Sequence, residues 1–365
     1  MLTSNDKIMV AMSGGVDSSV TAALLVEQGL SVSGVTMCFE LPPHSGESRP
    51  SCCGLESIED ARRVCKRLGI PHHVLNYGDA LELLVIRNFI GEYAQGRTPN
   101  PCVRCNQFLK FDRLFKDAKA LGATHLATGH YAQIVRNEAA SSWEMRKAKD
   151  TRKDQSYFLY GIPSEILPFI VLPLGGLKKD EVRAQARRFN LPVAEKKDSQ
   201  DICFVPDGKY QDFLAARGGG VDKPGPVLDS AGKVVGAHKG LSHYTVGQRE
   251  GLGIALGAPA YIYKIDRATN TIFIGPEEKL LSAGLLASGL NWLGGKFLQE
   301  SFEAGIKIRY NQTDIKGSVA ILEKGQVRVR FLMPQKAVTP GQSVVFYNGD
   351  ILLGGAVIES SMENF

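Results

Sequence analysis

The chain lacks any unbroken run of about 20 apolar residues, the length a membrane-spanning helix needs. Its best candidate, residues 158–174, is interrupted by Glu165 and three prolines, and the apolar run Ile8 to Met12 is too short for the centre of a signal peptide. These absences set the expectation of a cytosolic protein without membrane contact. Tryptophan is scarce, with 2 residues, and neither a low-complexity tract nor an internal repeat is visible, which sets aside fibrous and disordered classes. Cysteine is missing from the last 162 residues: all seven lie between Cys38 and Cys203, so any sulfur chemistry belongs to the first part. Without an export signal these thiols argue against a disulfide framework and leave catalysis, metal binding or packing. A strong net charge is lacking too, at +5, but the charge is clustered. Residues 178–197 hold seven Lys or Arg against three acids, and residues 146–153 five against one. Such runs suit a polyanion such as RNA, or equally a solvated helix face.

At 365 residues the chain has room for two or three domains. Its first 200 residues alternate short apolar runs with amphipathic stretches, the rhythm of a parallel sheet covered by helices on both faces. The pattern predicts strands at 7–12, 31–38, 72–76 and 124–129, and helices at about 17–28, 57–68, 79–94 and 105–121. A doubly wound α/β domain over 1–204 is therefore expected. Residues 205–260 are Gly-rich and turn-dense, as in Gly218-Gly219-Gly220, and read as a small connecting domain. From 261 to 365 period-two alternation dominates, as in Gln326-Val327-Arg328-Val329-Arg330-Phe331, with turns such as Asn348-Gly349-Asp350, and predicts a small β-barrel.

The strand from Ile8 runs into Ser13-Gly14-Gly15-Val16-Asp17-Ser18-Ser19 and then into a helix. Backbone amides and three hydroxyls would converge there on a helix N-terminus, which makes an anion cradle. The loop has no Gly-Lys-Ser/Thr ending, whose lysine serves the β- and γ-phosphates of a Walker loop, so pyrophosphate is the expected guest. Asp17 could help to hold Mg²⁺. The loop resembles the PP-loop of ATP pyrophosphatases, which adenylate a substrate and release pyrophosphate.

Longer motifs narrow the resemblance. They are Gly96-Arg97-Thr98-Pro99-Asn100-Pro101-Cys102-Val103-Arg104-Cys105-Asn106 with Lys110-Phe111, and Ala127-Thr128-Gly129-His130-Tyr131. Lys153-Asp154-Gln155-Ser156-Tyr157-Phe158-Leu159, Asp198-Ser199-Gln200-Asp201-Ile202-Cys203-Phe204 and Tyr244-Thr245-Val246-Gly247-Gln248-Arg249 follow. Together they resemble the tRNA-specific 2-thiouridylase (tRNA-uridine 2-sulfurtransferase) family from Lys7 to the Gly341-Gln342 region. The resemblance implies ATP-dependent sulfur transfer to a tRNA wobble uridine. It places ATP at Ala11, Met12, Ser13, Gly14, Gly15, Val16, Asp17, Ser18, Met37 and Gly129. The target base would meet Asn100, Pro101 and Cys102, and the tRNA His130, Lys153, Asp154, Gln155, Arg309, Tyr310 and Gln342.

The chemistry accounts for the thiols. Adenylation turns the uridine C2 oxygen into a leaving group that a sulfur nucleophile displaces. One cysteine carries sulfur as a persulfide and a second attacks its inner sulfur, leaving a disulfide for a reductant. The resemblance implies Cys203 as the carrier and Cys105 as its partner, with a sulfur donor protein or a sulfide source loading the former. Cys38 and Cys65 read as small buried hydrophobes, and Cys52 and Cys53 as an exposed pair without a catalytic role. Many family members carry aspartate where this chain has Cys102. The change brings three thiols to one region, and Cys102, Cys105 and Cys203 could instead hold a [4Fe–4S] cluster that binds hydrosulfide. Both routes stay open at this level. So do two other functions: a PP-loop ligase that uses an amine, which would not need the cysteines, and a non-catalytic RNA-binding or iron–sulfur protein.

Overall fold

The computed structural model describes residues 2–39, 55–198, 202–205, 210–217, 223–254, 259–295 and 300–363. Strands β1 (Lys7–Ala11), β2 (Ser31–Cys38), β3 (His72–Asn76) and β4 (His125–Ala127) join Ile170–Val171 in a parallel sheet. Its order is β3-β2-β1-β4 followed by 170–171. Side chains alternate across β1, so Ile8 and Val10, with Met12 just beyond, pack beneath α1 (Val16–Glu27) and helix Lys179–Arg188. α2 (Leu55–Leu68) covers the same face through Ala61 and Val64. Met9 and Val35 face the other way, toward Leu81, Val85, Phe89 and Leu109 of the helical layer spanning 78–93 and 101–120. Helices on both faces make the domain doubly wound, as the periodicity predicts. Within that second layer the backbone widens into π-turns at Glu82–Ile86 and Cys105–Leu114, a geometry frequent at functional sites.

The small domain is larger than the sequence suggests. Tyr261–Asp266 and Thr271–Gly275 pair with each other, and the second pairs with Gly225–Leu228, itself paired with Val234–His238. Their apolar core holds Val227, Leu241, Tyr244, Ile262, Ile272 and Ile274. The expected start of the barrel at 261 is therefore corrected: these two strands belong to the four-stranded sheet. Alternation reports a strand but not its partner.

The barrel begins at Leu281. Strand Leu281–Trp292 pairs with both Val327–Lys336 and Ile351–Met362, which closes a six-stranded ring around Leu285, Ile306, Val319, Val329, Phe346 and Ile358. A hairpin from the first domain, Gln133–Asn137 with Ser142–Arg146, extends this sheet through the pairing of Ile351 with Arg146. The barrel also shares a core with that domain: Val345, Tyr347 and Leu352 lie in the same apolar cluster as Met9, Phe89 and Leu109. Among the described residues no helix is long and apolar enough to cross a membrane.

Candidate active site at the carboxyl edge of the parallel sheet

The sheet order reverses between β1 and β4, which opens a crevice at their carboxyl ends, where doubly wound sheets bind ligands. The Ser13–Ser19 loop leaves β1 into this crevice. The Ser13 amide donates to Ser18 Oγ at 3.2 Å, and the hydroxyls of Ser18 and Ser19 donate to Gly15 O at 3.3 and 2.7 Å. α1 starts after Gly15, which has no side chain to cap the first amides. Gly14 sits at φ +71°, and a Cβ there would come within 2.3 Å of Ser57 O. From β4, Gly129 crosses the loop so closely that a Cβ would lie 2.7 Å from Ser18 N. Ala11 to Ser18 and Gly129 thus converge, and half-buried Met37 lies on β2, the next strand.

Asp17 is not open to solvent on all sides. Lys179 Nζ donates to both of its carboxylate oxygens, at 2.7 and 2.9 Å, and Tyr131 Oη donates to Oδ1 at 2.8 Å. Lys179 also pairs with Asp198 at 2.9 Å, which receives Lys153 and Arg183 at 3.0 Å each. Burial pushes the Asp198 carboxyl up, but Lys179 and Lys153 outweigh it and hold it below the usual range. Sequence reading passed over Lys179 because it lies in a basic run that resembles an exposed helix face. The same holds for much of that run: Arg187 pairs with Glu195, Arg188 with Glu27 and Lys196 with Asp60. These bonds lower the positive charge offered by residues 178–197 to a polyanion.

Cys105 belongs to the apolar cluster on the sheet face away from α1. Asn100 accepts from the Val103 amide at 3.3 Å and caps the turn Pro101–Arg104, with proline in the first helical turn. Cys102 and Cys203 are exposed and Cys105 is buried. Burial pushes the Cys102 thiol up, the nearby Cys203 adds to this, and Lys110 pulls it down. Lys110 itself is held by Asn106 Oδ1 at 3.0 Å. His130 Nδ1 lies 2.7 Å from Thr128 Oγ1, and burial followed by Lys110 holds the imidazole well below 6.5. It is neutral at pH 7, a hydrogen-bonding group rather than a cation for phosphate. Among the described residues no three His, Cys, Asp or Glu side chains gather closely enough to hold a single metal ion. Cys52, Cys53 and Ser199 to Asp201 lie outside the described residues. Cys65 is a buried thiol raised to about 11 by desolvation, as its reading as a packing residue requires, while Cys38 is only half buried.

The residues assigned to tRNA have varied surroundings. Asp154 is 5% exposed and accepts from the amides of Ala148 and Ser156, so its side chain braces the loop. Gln155 Oε1 accepts from the Tyr131 amide at 2.9 Å. Lys153 remains half-exposed beside Asp198. Arg309 is exposed at its residue surface, although one guanidinium nitrogen donates to Ala337 O at 2.7 Å. Tyr310 lies 4.6 Å from the Phe158 ring. Gln342 Nε2 donates to Thr98 O and Pro99 O at 2.9 and 3.2 Å, tying the barrel to the segment that carries Asn100. Thr245 meets the same segment through Thr98 Oγ1 at 3.2 Å, so all three domains touch it.

Residues 6–207 match the family described as tRNA methyl transferase HUP domain, 211–276 its PRC-barrel domain and 282–358 the aminomethyltransferase β-barrel domain. The chain is 49% identical over 358 residues to the tRNA-specific 2-thiouridylase MnmA of Carboxydothermus hydrogenoformans, covering 98% of each protein. It is 48% identical to that of Halothermothrix orenii, over 99% of this chain and 100% of the relative. For the Geobacter metallireducens protein the figures are 48%, 98% and 97%. With the three domain matches in order and near-half identity along almost its whole length, the chain belongs to the tRNA-specific 2-thiouridylase family.

Proposed function

We propose that the protein converts the wobble uridine of tRNA to 2-thiouridine, with ATP cleaved to AMP and pyrophosphate. The observation that carries this reading is a lysine-free anion loop crossed by Gly129, with the next residue, His130, sharing Lys110 as a neighbour with Cys102, itself near the exposed Cys203. The Ser13–Ser18 loop holds the phosphates on its amides and hydroxyls. Magnesium bound with the nucleotide would offset phosphate charge, and Asp17, the carboxylate in the loop, would share it with Lys179.

The uridine C2 oxygen attacks the α-phosphorus, and pyrophosphate leaves. Cys203, loaded by a sulfur donor, carries a persulfide whose terminal sulfur attacks C2 and expels AMP. The Cys105 thiolate attacks Cys203 Sγ, the persulfide S–S bond breaks, and its sulfur stays on the base. A Cys105–Cys203 disulfide forms and awaits a reductant. Neutral His130 and the Asn100–Pro101–Cys102 turn meet the base, and no aspartate stands at Cys102 to serve as acid or base. Lys153, Arg309 and Tyr310 face the tRNA from the rim, with Tyr310 offering a ring for an unpaired base.

Incubation with substrate tRNA, ATP and a sulfur donor should yield AMP, pyrophosphate and 2-thiouridine in equal amounts. Stoichiometric ADP and orthophosphate would refute the adenylation step.

A further inference from the structure

We propose that Lys179 is the cation that meets the nucleotide's phosphates during adenylation, a role that no residue of the loop itself fills. This rests on the adenylation reading above. An ammonium taken out of water costs several kcal/mol unless it is paired. The Lys179 side chain is 8% exposed and finds both oxygens of Asp17, one of Asp198, and the face of Tyr131 with Nζ 5.7 Å from the ring centre. A purely structural lysine would be expected to pair with a carboxylate remote from any ligand. Here the partner is the first-turn acid of α1, in the loop that cradles the anion.

The charges around it are uneven. Among the described residues, Lys179, Lys153, Arg183 and Arg152 face Asp17, Asp198 and Asp150, whose carboxylate accepts from the Lys179 amide, which makes four cations to three carboxylates. Asp17 and Asp198 keep side-chain exposures of 32% and 24%, so the pair is reachable from the crevice. A lysine ammonium is a compact point charge suited to phosphate. When the bond between the α-phosphorus and the bridging oxygen breaks, that bond's electron pair goes to pyrophosphate. Lys179, already within 2.9 Å of the loop's carboxylate, supplies the opposing charge. Asp198 is its second anchor, five residues before Cys203, so the same ammonium ties the phosphate end of the crevice to the segment that bears the sulfur.

The test compares wild type with Lys179→Met, Lys179→Arg and Lys179→Met/Asp17→Asn. Three readouts are used: thermal protection by inorganic pyrophosphate with Mg²⁺, single-turnover AMP formation with tRNA, and tRNA affinity. Wild type should be protected by pyrophosphate. Lys179→Met should lose that protection and form AMP on the order of 10²-fold more slowly, with tRNA affinity unchanged within about twofold. The double variant, which removes the carboxylate that Lys179→Met leaves without its cation, should regain thermal stability without regaining AMP formation or protection. Should Lys179→Met fail to fold, the double variant and Lys179→Arg carry the decision. Wild-type AMP formation and pyrophosphate protection in a variant lacking the ammonium would overturn the proposal. If wild type forms no AMP, the adenylation reading fails, and lysine-dependent protection by pyrophosphate still decides the role of Lys179.

Discussion

The two ends of the crevice are built differently. The proposed nucleotide end is mostly one contiguous loop, Ser13 to Ser19, which offers backbone amides and hydroxyls, with Met37, Gly129, Tyr131 and Lys179 arriving from elsewhere in the chain. The thiol end is assembled from the 98–105 segment, the turn after β4, Cys203, and props from the barrel and the small domain. A contiguous site depends on local conformation, so backbone substitutions should damage it most. An assembled site depends on how the domains hold it, so distant polar contacts should matter there.

The sharpest separation of the two ends comes from sulfur. Cys203→Ala and Cys105→Ala should each lower 2-thiouridine formation by at least about 10³-fold while AMP formation from ATP and tRNA persists. Loss of AMP formation in these variants would merge the ends into one unit. Cys102→Ser should keep a sulfur adduct on Cys203, read by peptide mass spectrometry after treatment with a donor. Next in size, Gly129→Ala forces a Cβ against the amide of Ser18 and the backbone of Asp17. It should weaken ATP binding about 10- to 100-fold and destabilise the domain by about 1–3 kcal/mol. Unchanged KM for ATP would show that the crossing at Gly129 does not shape the loop.

Much of this contrast was legible in the sequence. The helix and strand periods located β1 to β4 and their helices, because each element buries one face, and the glycines and serines of the loop are adjacent in the chain. Lys179 was not legible, since its partners lie 162 residues earlier and 19 later and its neighbours are other basic residues. Nor was the role of Gln342, a lone amide whose two acceptors are backbone carbonyls more than 240 positions away. The burial of Cys105, where a π-turn starts, was not legible either.

Gln342→Ala tests the assembled end more gently. Loss of its bonds to Thr98 and Pro99 should cost about 1–2 kcal/mol and lower the sulfur-transfer rate several-fold, with KM for ATP unmoved. A matching rise in KM for ATP would show that the clamp reaches the nucleotide. Acid should act through the histidines. Burial holds His72, His125 and His130 below 6.5, so the unfolded chain binds protons first as pH falls. Their stabilising contribution is complete above 6.5 and is lost as pH drops through the folded values. Tm should fall between pH 7.5 and 5, and His130→Asn should flatten that slope. Smallest of all, Arg309→Ala should reduce the salt dependence of tRNA affinity by about one unit of slope. An unchanged slope would remove Arg309 from the rim.

The hairpin that the first domain lends to the barrel bears on how the chain is made. Arg146 pairs with Ile351, roughly 200 residues further along, so at about 5–20 residues per second the ribosome needs some 10–40 s to produce its partner. During that interval the Ser142–Arg146 strand offers unpaired amides and carbonyls along its outer edge, the feature that invites pairing with another nascent chain. A truncation ending near 207 would make that exposure permanent. The first domain should then be prone to aggregation when expressed alone, even though its parallel sheet and both helical layers would be complete.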